Sequence, residues 1–208
     1  MSRYRAALGL FVVVISLVLV GSFAAAGAED SVPLIHNGGF DVTVDRDLDP
    51  WVVVNGTKDK VVCGSKAPPN TSGGCAFRFK GSANESAKLV QLADAGILSA
   101  ANGLLVTKSG QVSFSYSVWS DLIISSLKAK LVIVYTPLGG VETKEKLTDT
   151  FTGTTDAGRD VIWAAEGPAE MLDIPKDATL SKVKVLFANK SPFGKLHVDG
   201  IIAILIGL

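Results

Sequence analysis

The sequence predicts an all-β fold, a two-sheet antiparallel β-sandwich. Three observations lead to it. Short strand-like segments recur along the chain with Gly, Pro and Asn turn signals between them. Helix signals are scarce. The 208 residues suit one sandwich domain and a processing segment, because no repeat or linker marks a second domain.

The chain begins with a segment typical of a secretory signal. Arg3 and Arg5 precede an apolar run at residues 8–20, and small residues follow up to Ala28. We therefore expect residues 1–28 to be a cleaved signal peptide and residues 29–208 to form a single sandwich in a secreted, extracellular protein. The alternative is an uncleaved N-terminal anchor. No later run is apolar and long enough for a membrane helix.

Charge and cysteine content narrow the function classes. Without Arg3 and Arg5, 18 basic residues face 20 acidic ones, and this balance offers no electrostatic footprint for nucleic acid. Export permits disulfides, and Cys63 and Cys75 are the two cysteines of the chain. We expect them to be bridged; free thiols are the alternative. Zinc-ligand spacing is not found.

Several asparagines lie in N-x-S/T triplets, which predict glycosylated surface loops. The candidates are Asn55, Asn70 and Asn84. A fourth triplet, at Asn189, is the poorest because Pro192 follows it.

The predicted strands follow one another with turns between them. Their residues are 32–35, 51–54, 61–63, 75–80, 87–92, 111–119, 128–136, 141–147, 161–163, 182–187 and 196–208. Residues 94–103 are either a loop or one helical turn, since periodicity does not decide. The first and last of these strands are expected to lie side by side.

Residues 111–119 form the clearest strand, because apolar and polar residues alternate strictly. Trp119 falls on the same side as Ser113, Ser115 and Ser117, away from the core; a bulge would reverse this and bury the ring. The apolar residues 201–208 do not alternate. We interpret them as a last strand covered on both faces with a frayed end, or as an adhesive strand that pairs with another subunit.

Taken in order, these segments resemble a carbohydrate-binding module of the galactose-binding-like jelly-roll class. The matching segments are residues 37–41, Trp51, residues 75–80, Gln91, and residues 109–120, 174–189 and 197–200. The resemblance implies a structural Ca²⁺ ion held by Asp41 and Asp199, since calcium takes oxygen ligands. The alternative is that both carboxylates bond only loop backbone.

The resemblance also implies a polysaccharide or glycan as partner. Sugars bind against aromatic faces with polar groups beside them, and Trp119, Tyr135 and Trp163 are the candidates. Trp51 is assigned to the core. No nucleophile elbow, zincin motif or phosphate loop is present, so we predict no enzymatic activity. The opposing hypothesis is a glycoside hydrolase built on Glu166, Glu170 or Asp173.

The sequence thus predicts a secreted, non-catalytic binding protein that recognises a glycan through an exposed aromatic and polar face. A protein of another class is the alternative. It would be an extracellular structural or assembly subunit that uses the sandwich and the apolar C-terminal strand for protein contacts, including self-association.

Overall fold

Strands make up more than half of the residues that the structure describes, as the alternation in the sequence predicts. A computed structural model describes residues 30–41, 48–69, 71–81, 86–121, 126–153 and 164–208. The strands are β1 (Ser31–Pro33), β2 (Val52–Val54), β3 (Lys60–Cys63), β4 (Cys75–Lys80), β5 (Lys88–Leu92), β6 (Gly110–Ser120), β7 (Ser126–Thr136), β8 (Thr143–Thr152), β9 (Ala164–Glu166), β10 (Leu172–Ile174), β11 (Thr179–Asn189) and β12 (Lys195–Gly207). One helix, α1 (Ala95–Thr107), lies between β5 and β6. The proposed signal segment, residues 1–28, and the strand expected at residues 161–163 lie outside the described residues.

The strands form two antiparallel sheets. The seven-stranded sheet runs β10-β6-β12-β4-β3, with β1 on β12 and β9 on β6; the five-stranded sheet runs β2-β5-β11-β7-β8. The first and last strands pair directly, with Val32 opposite Leu205. The β-sandwich class and the adjacency of the two strands are both confirmed.

The core lies between the sheets and centres on aromatic rings. Phe187 of β11 contacts Phe114 and Tyr116 of β6, at ring-centroid distances of 6.0 and 5.1 Å. Its ring also lies 6.3 Å from that of Trp51. Trp51 is buried, as predicted. One side chain therefore joins both sheets and the loop before β2.

Helix α1 occupies the segment that the sequence left open between a loop and a single turn. Asp94 caps it by accepting a hydrogen bond from the Ile97 amide at 2.9 Å. Ile97, Ala101 and Leu105 share its buried face. The side chain of Asn102 exchanges two hydrogen bonds with the backbone of Leu180 on β11. Within the described residues, no helix is long and apolar enough to cross a membrane.

Strand β12 corrects both interpretations of the C-terminal residues. Toward its C-terminal end the outward side chains Ile202 and Ile206 are exposed, with Ile202 at 54%, so residues 201–208 are not covered on both faces. Its backbone is also paired on both sides: β6 runs along one edge, and β4 and β1 occupy the other in turn. Because the edges are taken, β12 cannot recruit a second subunit by strand addition at the paired positions.

Candidate functional site

Three polar side chains stand in one row across the outer face of the seven-stranded sheet. His197 of β12 lies directly opposite Arg78 on one side and Trp119 on the other. The rings of Trp119 and His197 meet edge to face, with centroids 5.1 Å apart. We call Arg78, His197 and Trp119 the outer row.

Trp119 lies on the side of β6 that the sequence predicted. Buried Val112, Phe114 and Tyr116 alternate along the strand with partly or fully exposed residues, and the tryptophan is among the latter, half-buried. The parity holds along the whole strand, so no bulge within β6 turns the ring into the core. Its role in binding stays a prediction.

His197 is the buried member of the row, only 3% exposed although it points away from the core. Burial lowers the pKa of its imidazole to about 3, and the positive charges of Arg78 and Lys195 act in the same direction. The ring is therefore neutral at physiological pH, with one nitrogen that donates a hydrogen bond and one that accepts.

The polar atoms of the outer row lack hydrogen-bond partners. Among the described residues, Nδ1 and Nε2 of His197, Nε1 of Trp119 and Nε of Arg78 are buried and unpaired. Each such group costs about 1–3 kcal/mol when left unsatisfied. Groups of this kind in native proteins call for an explanation such as a bound water, an ion or a functional role.

The prediction that Tyr135 is an exposed sugar-binding aromatic is wrong. It lies on the inward face of β7 with Leu131 and Ile133 and is only 5% exposed. Its hydroxyl donates a 2.8 Å hydrogen bond to the Glu145 carboxylate. A sugar cannot stack on a ring packed between the sheets, so Tyr135 is not an exposed binding residue. Trp163 lies outside the described residues.

The segment at residues 36–41 packs closely against the last strand, β12. The Ile201 amide donates a 3.0 Å hydrogen bond to the Gly38 carbonyl. A Cβ atom on Gly38 would lie 2.0 Å from the Ile201 carbonyl oxygen, so only glycine fits there. The Gln91 side chain holds the preceding turn with two 2.9 Å hydrogen bonds to the backbone of His36. Gln91 belongs to the segments that carry the family resemblance, but the sequence alone does not reveal that its side chain holds the turn at His36.

Of the two residues expected to bind Ca²⁺, Asp199 bonds to backbone and Asp41 is exposed. Asp199 is buried, and its Oδ1 accepts a 2.7 Å hydrogen bond from the Gly200 amide. The Asp41 carboxylate lies against Gly73, and desolvation raises its pKa. Within the described residues, no group of three or more His, Cys, Asp and Glu side chains is placed to hold a metal ion. The calcium site stays a prediction.

The Cys63–Cys75 disulfide is confirmed. It joins the end of β3 to the start of β4, where the two residues are direct cross-strand neighbours. Closing a loop of 12 residues in sequence stabilises the fold by about 3 kcal/mol in the chain-entropy model.

The predicted glycosylation sites are only partly described. Asn55 is exposed in the turn after β2, whereas Asn70 and Asn84 lie outside the described residues. Asn189 is buried, and its side-chain oxygen accepts a hydrogen bond from the Ser191 amide, which agrees with its low ranking.

The three acidic residues of the hydrolase hypothesis lie in different surroundings. An open cleft of about 500 Å³ between β8 and residues 167–170 is lined by Asp149 and Glu170. Tyr116 donates a 3.0 Å hydrogen bond to Asp149. Burial, and then the charge of Asp149, raise the pKa of Glu166. Asp173 instead accepts a hydrogen bond from Gln111. Asp149, which the hydrolase hypothesis did not include, is therefore the carboxylate whose charge acts on Glu166.

The chain was compared with known proteins by sequence and by structure. No family model matches the chain, and no curated protein matches it. Among solved structures, it resembles the enzymatically active domain of bacteriophage CBA120 tailspike protein 4, with a TM-score of 0.51 and 14% identity over 84% of this chain. The chain spans only 22% of that protein.

A second similar structure is a family 61 carbohydrate-binding module in complex with β-1,4-galactotriose. Its TM-score is 0.50 with 16% identity, and the match covers 82% of this chain and 97% of the module. The chain therefore has the antiparallel β-sandwich fold of carbohydrate-binding modules. At such identities the likeness concerns the fold, and function is argued from the site.

Proposed function

We propose that this chain is a secreted, non-catalytic protein that binds a glycan at the outer row. The observation that carries the proposal is the half-buried ring of Trp119 beside the unpaired polar atoms of His197 and Arg78. An aromatic ring offers contact area to the apolar face of a sugar. The partly exposed guanidinium of Arg78 offers hydrogen-bond donors to sugar hydroxyl groups, and the buried, neutral imidazole of His197 lies between Arg78 and the Trp119 ring.

Secretion is supported by two features. The disulfide forms and persists in oxidising compartments, and residues 1–28 have the composition of a secretory signal. The absence of catalysis is supported by the sequence, in which no nucleophile elbow, zincin motif or phosphate loop is found.

Replacement of Trp119 tests the site. We expect Trp119→Ala to weaken glycan binding by about 10- to 100-fold, because removing an aromatic that stacks on a ligand costs on the order of 2 kcal/mol. Isothermal titration with glycans identified on an array measures the loss. Leu138→Ala, which trims an exposed side chain in the turn after β7, is the control and should bind normally. Unchanged affinity in Trp119→Ala would remove the outer row from the site.

A structural calcium ion held by Asp41 and Asp199 is a further proposal, supported by the docking of their two segments. With calcium at about 100 times its dissociation constant, binding adds about 2.7 kcal/mol of stability. Addition of EGTA should then lower the Tm by roughly 5–10 °C, and restored calcium should reverse the shift. An unchanged Tm would eliminate the site.

The alternative function, an assembly subunit, is favoured by one specific observation. Ile202 and Ile206 are exposed on the outer face of β12. A contact between subunits would use this face of the strand, since its edges are paired. Gel filtration of Ile202→Ser distinguishes the two functions, because an oligomer that dissociates in this variant and binds no glycan would favour assembly.

A further inference from the structure

The outer face of the five-stranded sheet is strongly basic. On β7, Leu131 and Ile133 point into the core, so the alternate residues point outward, and the pairing register extends this rule to the neighbouring strands. The outward lysines define what we call the lysine face. They are Lys88, Lys128, Lys130, Lys144, Lys146, Lys182 and Lys184.

No acidic residue balances these charges on that face. The five strands are fully described, and their outward positions hold only Lys, Thr, Ser, Val, Leu and Ala. The whole chain has 20 basic and 20 acidic residues. The positive charge is therefore concentrated by the fold, and it cannot be found from the composition.

The lysines stand in ordered columns. In one cross-strand row, Val134 lies between Lys182 and Lys144; in the next row, Val132 lies between Lys184 and Lys146. Adjacent strands are about 4.8 Å apart, so the two lysine columns are about 10 Å apart with a valine strip between them. Successive lysines in a column are about 7 Å apart along the strand.

The lysines are close enough to act on one another. The charge of Lys128 lowers the pKa of Lys130, followed by burial and by the charges of Lys146, Lys190 and Lys88. Like charges held this close repel one another and weaken the folded state. A chain of negative charges laid along the columns would relieve that repulsion.

We propose that the lysine face binds a linear anionic polysaccharide lying along the strands, with its carboxylate or sulfate groups between the two lysine columns. The inference rests on the proposed glycan binding for its choice of a polysaccharide, and it adds a second surface and a charge class to that function. The valine strip provides an apolar floor beneath the sugar rings, and the threonines of β8 provide hydroxyl groups beside it.

Other polyanions fit the face less well. Nucleic acids are bound through arginine forks and through aromatic rings that stack on bases, and no outward position of these strands carries an arginine or an aromatic residue. A membrane surface would require large apolar side chains among the lysines to insert. Only valine lies between the two columns, and the outward positions of the five strands add just two larger apolar side chains, Leu92 and Leu186.

The test compares charge removal on and off the face. The triple variant Lys144→Gln, Lys146→Gln, Lys184→Gln removes charge from both columns. The matched control is Lys58→Gln, Lys66→Gln, Lys176→Gln, which removes the same charge from exposed positions elsewhere. Titrations use polygalacturonate, dextran sulfate, neutral dextran, duplex DNA and phosphatidylserine vesicles.

We expect wild type and the control to bind polygalacturonate or dextran sulfate, with affinity that falls as salt rises, and not neutral dextran. The triple variant should bind about tenfold more weakly, since three partly exposed charge contacts each contribute modestly. The more tightly bound of the two polymers identifies the anionic group. Equal loss in both variants, no binding of either polymer, or tighter binding of DNA or vesicles would overturn the proposal.

The test of the lysine face and the test of the outer row can give different results. The lysine variant should keep any neutral-glycan binding that depends on Trp119, and Trp119→Ala should keep polyanion binding. A protein that binds a neutral glycan but no polyanion would refute the lysine face and leave the proposed function standing.

Discussion

Phe187→Ala should destabilise the protein by about 3–5 kcal/mol, the range for a large aromatic removed from a core. The ring is fully buried and contacts Trp51, Phe114 and Tyr116. Its loss leaves a cavity between the two sheets, because the strands that carry the neighbouring rings cannot close the gap. Urea unfolding of both proteins measures the difference in free energy of unfolding.

Two control variants make that result specific. Phe187→Leu keeps much of the volume and should cost less than Phe187→Ala. Phe193→Ala removes an aromatic that is about half exposed and should be close to neutral. A loss below about 1 kcal/mol in Phe187→Ala would contradict the placement of this ring at the centre of the core.

His197 should make the protein sensitive to acid. Burial lowers the pKa of its folded-state imidazole to about 3, from an ordinary value of 6.5. Below pH 6.5 the unfolded chain binds a proton that the folded chain excludes, so stability is full above that pH and falls as the pH drops toward 3. Since each pKa unit is worth about 1.4 kcal/mol, the loss on acidification should amount to several kcal/mol.

The chain has two histidines, and the second supplies the control. His197→Gln removes the titrating group and should flatten the pH dependence of the unfolding free energy between pH 6.5 and 4. His36→Gln, at a half-exposed position paired with Asp94 at 3.3 Å, should retain the wild-type dependence. If His197→Gln and wild type lost stability in parallel, the buried neutral imidazole would be refuted.

The strands were predictable where residues alternate. On β6 the period of two assigned Trp119 to the outer side, and on β11 it assigned Val183, Val185 and Phe187 to the core. Tyr135 was misassigned because residues 131–135 are apolar at every position, although the alternation that begins at Lys128 and Lys130 places the ring on the inward face. The helix α1 was undecided because small and apolar residues surround its buried face.

Neither proposed surface could be found by reading along one strand. The outer row joins residues 78, 119 and 197, and the lysine face joins four strands, so both depend on the pairing register. Local sequence determines which side of a strand a residue occupies. Which residues lie beside it on the neighbouring strands depends on the order of strands in the sheet, and that order is set by long-range packing. The apolar tail was misinterpreted for this reason, because its central place in the sheet is not encoded locally.

The most direct test of the account is a glycan array probed with the intact protein, wild type beside Trp119→Ala. Glycan recognition at the outer row predicts that wild type binds at least one glycan and that the variant, equally stable to urea, loses that signal. A folded wild-type protein that binds no glycan, neutral or anionic, would contradict it.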